Sequence, residues 1–407
     1  MPEMTSPDGI DPRRIVIVGG GVAALEAVLA LHDLAETLFE VTAIAPEPEF
    51  RLRPLDALRP FANGHAGRLD LERFMREHGG CFRRTATLSV DTERRTAHCA
   101  TGLDEHYDAL IVAAGASARP AFEHALTFGV DSQALSGLLA DLERGYSRGV
   151  AFVVPNGCTW PIPLYELALL TADEVRGVGT DDVQLHLVTP ELGPLDLFGL
   201  GASAAARELL QAAYIELHSG VSAGVRRGGH VDTGFGGGLD VDRVVALPAL
   251  NGPRLQGLPS DANGFIPIDV YGRVLGVNAV YAAGDATDRP IKQGGLACQQ
   301  ADTVAAHVAA GAGAPVDAVP YTPVLRGRLL TGRSDRFLRH SEKPGASETA
   351  TQPLWWPPVE LSGRYLAPYL ETQGLVELPP RGEALAAGVD VRMPLSWLER
   401  RSVVPRA

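Results

Sequence analysis

Cysteine is scarce in this 407-residue chain, with four in all, at positions 81, 99, 158 and 298. No two of them form a C-x-x-C or C-x-x-x-x-C pair, so neither a zinc site nor a paired redox dithiol is expected. A scatter this sparse suits a reducing compartment, and the cytoplasm is the expected location. Basic residues are also in short supply: 36 Lys and Arg stand against 49 Asp and Glu, a net charge of -13. With no basic cluster to offset it, that balance opposes binding to nucleic-acid phosphates or to an anionic bilayer. No run of 18 apolar residues occurs, and the opening MPEMTSPDGIDPRR has no apolar core of signal-peptide length, so neither a membrane span nor export is expected. No internal repeat of solenoid length is present.

What the chain does have is average apolar content, 45% hydrophobic and 21% charged, with abundant punctuation in 45 glycines and 30 prolines. Its length accommodates two to three domains with sizeable cores. Residues 1–12 read as a polar tail. From Arg13 onward, RRIVIVGGGVAALEAVLALHDL passes from an apolar strand through a glycine turn into a helix, and FEVTAIAPEPE follows as a second strand, making a β-α-β unit. Cys81 to Gly102 reads as a small antiparallel hairpin, and DALIVAAGA as a further strand ending at Gly115. A second α/β pattern runs through GVAFVVP, PLYELALLTADEV, VQLHLVTP and ASAAARELLQAAYIELHSG, the last read as helix throughout. The run GFGGGLD at 234–240 reads as a hairpin loop because no helix follows it. NAVYAAGD then supplies a strand and LACQQADTVAAHVAAG a helix that return the chain to the first unit. The fold class is therefore α/β, two doubly wound Rossmann-like domains with a small C-terminal interface region. The expected boundaries are 13–117 plus 255–320, 118–254, and 321–407, where VLRGRLL and DRFLRH flank TGRSD as a hairpin.

The turn Gly19-Gly20-Gly21-Val22-Ala23-Ala24 fits G-x-G-x-x-G/A between a strand and a helix. Gly19 permits the tight turn, Gly21 admits a pyrophosphate close to the backbone, and Ala24 keeps helix and sheet close. The phosphates would rest on free N–H groups at the positive end of the helix dipole. The ribose acceptor expected at the end of the second strand is replaced by Ala45; Glu47 is the substitute, or else a solvated loop carboxylate. Val280-Tyr-Ala-Ala-Gly284-Asp285 delivers a carboxylate to the carboxyl end of a parallel sheet, where ligands of such sheets bind and where an Asp can accept from the ribityl hydroxyls of FAD.

With the 108–115 strand, these pieces resemble the two-dinucleotide-domain FAD oxidoreductases of the pyridine nucleotide-disulfide reductase superfamily, over about residues 14–340. The pattern is most similar to the sulfide:quinone oxidoreductase and type II NADH dehydrogenase branch, on EFRLRPL at 49–55, IKQGGLACQQA at 291–301 and LVTPELGPLDLFGLG at 187–201. The resemblance implies that Pro54 touches the isoalloxazine and that Lys292 lies near its reacting edge. It also implies that the backbone of Gly294, Gly295 and Leu296 faces the pyrimidine end. A helix starting at Gly294 or Gly295 would there stabilise negative charge by dipole and N–H donors.

Departures from that pattern shape the expected chemistry. Cys158, in PNGCTWPIPLYE, falls near one cysteine of the sulfide-oxidising family, but no cysteine follows Cys298 to partner it; a buried structural thiol is the competing reading. Cys81 and Cys99 read as structural. Where a second glycine motif would bind NAD(P)H, this chain has Pro155-Asn156-Gly157-Cys158-Thr159-Trp160, whose side chains oppose phosphate approach. Glu166 stands where related enzymes hold an active-site glutamate. It could relay protons, or be a first-turn carboxylate favoured by the helix dipole. Trp355 and Trp356 read as core, interface or an aromatic cap. The tail GEALAAGVDVRMPLSWLERRSVV lacks a long basic amphipathic helix. The expected function is two-electron transfer from a small donor through FAD to a quinone or other acceptor, including a protein carrier. The alternatives are sulfur-compound oxidation at Cys158 and a non-catalytic FAD-binding scaffold or redox-sensing partner protein. A homodimer through the C-terminal region is the expected assembly.

Overall fold

The computed structural model describes residues 12–52, 67–158, 160–179, 182–234, 237–341, 347–359, 361, 363–376 and 390–391. Strand β1 (Arg13–Val18) enters helix α1 (Val22–Ala35) through the glycine turn and returns as β2 (Phe39–Ala45). Strands β3 (Cys81–Arg84) and β4 (Ala109–Val112) and a late strand complete a five-stranded sheet. The four apolar side chains from Ile15 to Val18 are all buried, as a strand covered on both faces requires.

The second sheet begins with β5 (Leu126–Thr127), helix α2 (Ser132–Glu143) and β6 (Gly149–Val153). It continues through helix α3 (Ile162–Gly177), β7 (Gln184–Thr189), helix α4 (Leu200–Ala212), β8 (Ile215–Ser219) and β9 (Arg243–Ala246). Its order is β5-β9-β6-β7-β8, parallel throughout. The chain then re-enters the first sheet as β10 (Val280–Ala282), which pairs in parallel with β4 and gives the order β10-β4-β1-β2-β3. Helix α5 (Gly294–Gly311) follows and packs along α1. Parallel neighbours joined by helical crossovers define the doubly wound architecture expected from the sequence.

Two expectations are corrected. Cys81–Gly102 is not one antiparallel hairpin: Cys81–Arg84 pairs in parallel with β2 as edge strand β3, and the hairpin is confined to Thr87–Asp91 against Thr96–Cys99. ASAAARELLQAAYIELHSG is not a single helix: α4 stops at Ala212, Tyr214 takes a left-handed φ of 56°, and Ile215–Ser219 pairs with β7 as an edge strand. The helical signal of the alanine-rich first half ran on into a segment whose partner strand lies outside any local window. His230–Gly234 and Gly237–Asp240 pair antiparallel on either side of the GFGGGLD tip, with Gly234 opposite Gly237; Phe235 and Gly236 lie outside the described residues. A further hairpin pairs β11 (Val324–Leu329) with β12 (Arg336–Ser341), to which β13 (Glu348–Ala350) adds.

The described part of the C-terminal region is distributed over both cores. Leu325, Leu329 and Leu338 pack into the core of the second sheet, whereas Leu361, Tyr365, Leu366, Tyr369 and Leu370 pack into the core built on α1. Helix α6 (Leu366–Thr372) is held there by Glu26 of α1, which is fully buried and accepts from the N–H groups of Tyr365 (2.9 Å) and Leu366 (2.6 Å). Trp355 and Trp356 are both about 1% exposed, so they are core residues of this chain; Trp355 meets Phe337 edge-on at 5.5 Å.

Candidate functional site

Strands β1, β4 and β10 run parallel, so their carboxyl ends lie together, and the chain leaves each through a glycine-containing turn. Gly19 has a φ of +136°, and a Cβ there would lie 2.1 Å from the carbonyl oxygen of Ala113. Only glycine lets β1 turn this tightly against β4. Its N–H donates to the Ile44 carbonyl at 2.8 Å, fixing the turn to β2 as well. Gly21 differs: it is the N-cap of α1, no side chain caps that end, and a Cβ there would meet nothing within 4 Å. The first N–H groups of a helix have no intrahelical acceptor. Open space beside them is the setting in which an anionic group can approach the backbone. Gly115, with a φ of +72°, likewise borders open space. Ala24 is buried against the first sheet's core, as close helix–sheet packing requires.

Gly284 brings the second half of the site to the first. Its φ is +75°, and a Cβ would stand 3.0 Å from that of Ala23 and 3.3 Å from that of Ala297, so the first turns of α1 and α5 meet over this one residue. Its N–H donates to Gln300 Oε1 at 2.9 Å, while Thr287 Oγ1 donates to its carbonyl at 2.9 Å. Asp285, half-buried, follows in the same turn. Gln300 and Thr287 were not singled out in the sequence; an amide one helical turn and a half into an apolar helix is the signal that could have marked Gln300.

Lys292 is buried beneath this turn. Its ammonium donates to the Thr287 carbonyl and lies 3.9 Å from the centroid of the Phe265 ring. Burial pulls its pKa down to about 8, with Asp285, Asp288 and Asp261 opposing the shift. Helix α5 then starts at Gly294. Leu296 N–H, expected to face a ligand, instead donates to Gln293 Oε1 at 2.8 Å, and the Leu296 side chain enters the core of the second sheet. Of the three expected residues, Gly294 and Gly295 remain as the first residues of the helix, whose N–H groups have no intrahelical acceptor, and Leu361 packs directly over Gly294.

Other expected residues are placed less centrally. Glu47 is exposed in the loop after β2, and Pro54 lies outside the described residues. Glu166 is buried, but stands beyond the first turn of α3, where no acidic residue occurs; its Oε1 accepts from the Leu330 N–H at 3.0 Å, tying α3 to the β11–β12 turn. Cys158 packs beside the second core, and burial with the nearby Glu191 charge pushes its thiol up to about 12. At neutral pH it is therefore a thiol and not a nucleophilic thiolate. All four cysteines are free, with Cys99 and Cys298 buried and Cys81 exposed. Trp160 meets Phe198 edge-on at 5.7 Å, and Asn156 Oδ1 accepts from Ser222 Oγ at 3.1 Å, so side chains anchor the 155–160 turn.

Glu191, missed in the sequence, follows β7 at the position an acidic ribose partner takes after the second strand of a dinucleotide unit. Its Oε2 accepts from Tyr165 (2.7 Å) and Thr189 (2.9 Å), while Oε1 is buried with no hydrogen-bond partner among the described residues. Burial raises its pKa despite those donors. The position two residues past an apolar strand, the rule that nominated Glu47, would have found it.

This arrangement defines two doubly wound α/β domains, the first opened by a glycine turn of the dinucleotide-binding type. The structure superposes on sulfide:quinone oxidoreductase from Aquifex aeolicus with a TM-score of 0.74, at 17% identity, covering 90% of this chain and 96% of that one. It superposes on NDH2 from Plasmodium falciparum at 0.66, with 13% identity and coverage of 90% and 95%. For a ferredoxin reductase of Rhodopseudomonas palustris the score is 0.62, with 20% identity and coverage of 81% and 82%. In sequence the chain is 29% identical over 296 residues to an NADH dehydrogenase-like protein of Mycobacterium tuberculosis, spanning 67% of this chain and 72% of the relative. No family model matches. Sulfide:quinone oxidoreductase, NDH2 and the NADH dehydrogenase-like relative carry the names of the branch that the motifs resemble.

Proposed function

We propose that the chain is an FAD-dependent oxidoreductase that passes two electrons from a small donor to a quinone or a protein carrier. The observation that carries this reading is the meeting of two helix starts, at Gly21 and at Gly294, over Gly284, with Asp285 between them. The open space at Gly21 and Gly115 fits the group: Gly19, Gly21 and Ala24 would hold its pyrophosphate, and Asp285 its ribityl hydroxyls. Bound FAD supplies two-electron acceptance and release. The protein's own residues supply the rest. The starts of α1 and α5 stabilise negative charge by dipole and N–H donors. Lys292, with a proton held only to about pH 8, is a cation that can give up that proton at Nζ near neutral pH. Leu361, Tyr365, Leu366, Tyr369 and Leu370 exclude water from the flank of α1.

The FAD unit would comprise 13–117 with 255–320, and the second unit 118–254. No helix among the described residues is long and apolar enough to cross a membrane. The cytoplasm is our proposed location, supported by the four free cysteines, and a dimer through the C-terminal region is our proposed assembly. The high thiol pKa of Cys158 argues against sulfur chemistry at that residue. A second reading rests on Glu191 Oε1, a buried acceptor with no partner among the described residues, which suits a ribose hydroxyl and hence a nicotinamide donor. One relative is NADH dehydrogenase-like, and NDH2 from Plasmodium falciparum is known in complex with NADH.

Anaerobic mixing of the purified yellow protein with NADH, NADPH, sulfide and a thiol separates these readings. Bleaching by one donor, restored by a quinone, supports the enzyme and names its donor. If every donor fails, the protein is a flavin-binding scaffold instead.

A further inference from the structure

Away from the flavin site, on the edge of the second sheet, three side chains with metal-ligating atoms converge. His186 of β7 is paired in register with Glu216 of β8, and His218 follows Glu216 by two residues, so all three project from the same sheet face. His186 Nδ1 lies 3.3 Å from Glu216 Oε2. His218 Nε2 lies 3.6 Å from Glu216 Oε1 and 3.4 Å from His186 Nδ1. A tetrahedral ion with bonds of about 2.0–2.1 Å sets its ligand atoms roughly 3.3–3.4 Å apart. The His186–His218 separation is close to such an edge, and one ligand atom from each of the three residues lies within 4.8 Å of the others.

The ring nitrogens face one another, so a single proton between them joins only the two imidazoles, whereas a cation can join all three side chains. The setting favours the ion further. On its other side His186 is flanked in register by Ala151, whose small side chain belongs to an apolar cluster with Val153 and Val188. That flank holds the buried His186 ring in place, while Glu216 is exposed and keeps the opposite side open to solvent.

We propose that His186, Glu216 and His218 form a binding site for a divalent transition metal ion of the zinc, cobalt or nickel class. Two imidazoles and one carboxylate select against calcium and magnesium, which take oxygen ligands. Three protein ligands leave positions for water, so the ion is exchangeable. Because the ligands come from two adjacent strands, the ion clips edge strand β8 to β7.

The test uses the full-length chain, treated with a chelator and then freed of it, titrated with Zn2+ by calorimetry and with Co2+ by absorption. One ion per chain is expected, with Co2+ giving visible ligand-field bands but no near-ultraviolet thiolate band. His218→Ala should weaken Zn2+ binding at least tenfold, and Zn2+ should raise the thermal midpoint of the unaltered chain but not of that variant. Glu216→Gln, at an exposed position where folding is secure, should also bind more weakly. Absence of saturable binding, equal affinity in both variants, or a thiolate band tracing the ion to Cys81 would each overturn the proposal.

Discussion

The ammonium of Lys292 stands 3.9 Å from the centre of the Phe265 ring and donates to the carbonyl of Thr287, so a buried cation is held under the turn that carries Asp285. Burial lowers its pKa from the ordinary 10.5 to about 8. Between those two values the folded chain has released a proton that the unfolded chain still holds. Stability therefore rises with pH across that window, and the penalty is fully present below it. The rise amounts to about 3.5 kcal/mol at most, since each pH unit across the window adds roughly 1.4 kcal/mol. Lys292→Met should remove this rise. Urea unfolding of both proteins at several pH values from 7 to about 10.5 checks it, and parallel slopes would show that Lys292 does not titrate in this way.

Gly19 and Gly21 sit two residues apart in one motif yet should respond oppositely to alanine. A Cβ at Gly19 strikes the Ala113 carbonyl, so Gly19→Ala should cost about 1–3 kcal/mol or more of stability. A Cβ at Gly21 meets no protein atom, so Gly21→Ala should unfold with nearly the same midpoint while losing at least tenfold in FAD affinity. Thermal scans of the flavin-free proteins, followed by FAD titration, separate the two effects.

Asp285→Ala removes a charged acceptor at the end of β10. Such hydrogen bonds are worth roughly 1.5–3 kcal/mol, so the FAD dissociation constant should rise about 10- to 100-fold. Fluorescence titration of the flavin-free variant measures it, and an unchanged constant would remove Asp285 from the site.

Glu26 joins the first helix to a segment some 340 positions later by accepting from Tyr365 and Leu366 N–H. Glu26→Ala leaves two buried donors unpaired, a loss of about 2–5 kcal/mol. Glu26→Gln keeps one acceptor and should lose less. Urea denaturation gives the magnitudes, and limited proteolysis should cut the alanine variant first near α6.

Hydride transfer from NADH or NADPH is expected to be slow, because the sequence puts Asn156, Cys158, Thr159 and Trp160 in the turn where a second dinucleotide would need glycine. Without bound nicotinamide the proximity that speeds transfer is lost. Stopped-flow bleaching that saturates at tens per second, an ordinary enzymatic rate of roughly that order, would instead establish the reading built on Glu191.

The first β-α-β unit, the Gly-Asp turn and the two doubly wound patterns were legible because each is written locally: an apolar strand of four to six residues, a glycine turn, an apolar helix. Gly19 could be assigned its tight turn from position alone. The sequence by itself could not decide whether Ile215–Ser219 continues a helix, because its strand character comes from hydrogen bonds to β7, some 30 residues away. That mistaken helix also hid the alignment of His186 with Glu216 and His218, which exists only in the register of two parallel strands. In the same way Glu166, Leu296 and the two tryptophans had the right chemistry for a site. Their partners, Leu330, Gln293, Phe337 and the buried core, were fixed only when distant segments packed together. Local pattern sets which backbone element a residue joins; whether its polar atoms remain available to a ligand depends on the groups that tertiary packing brings within hydrogen-bond distance.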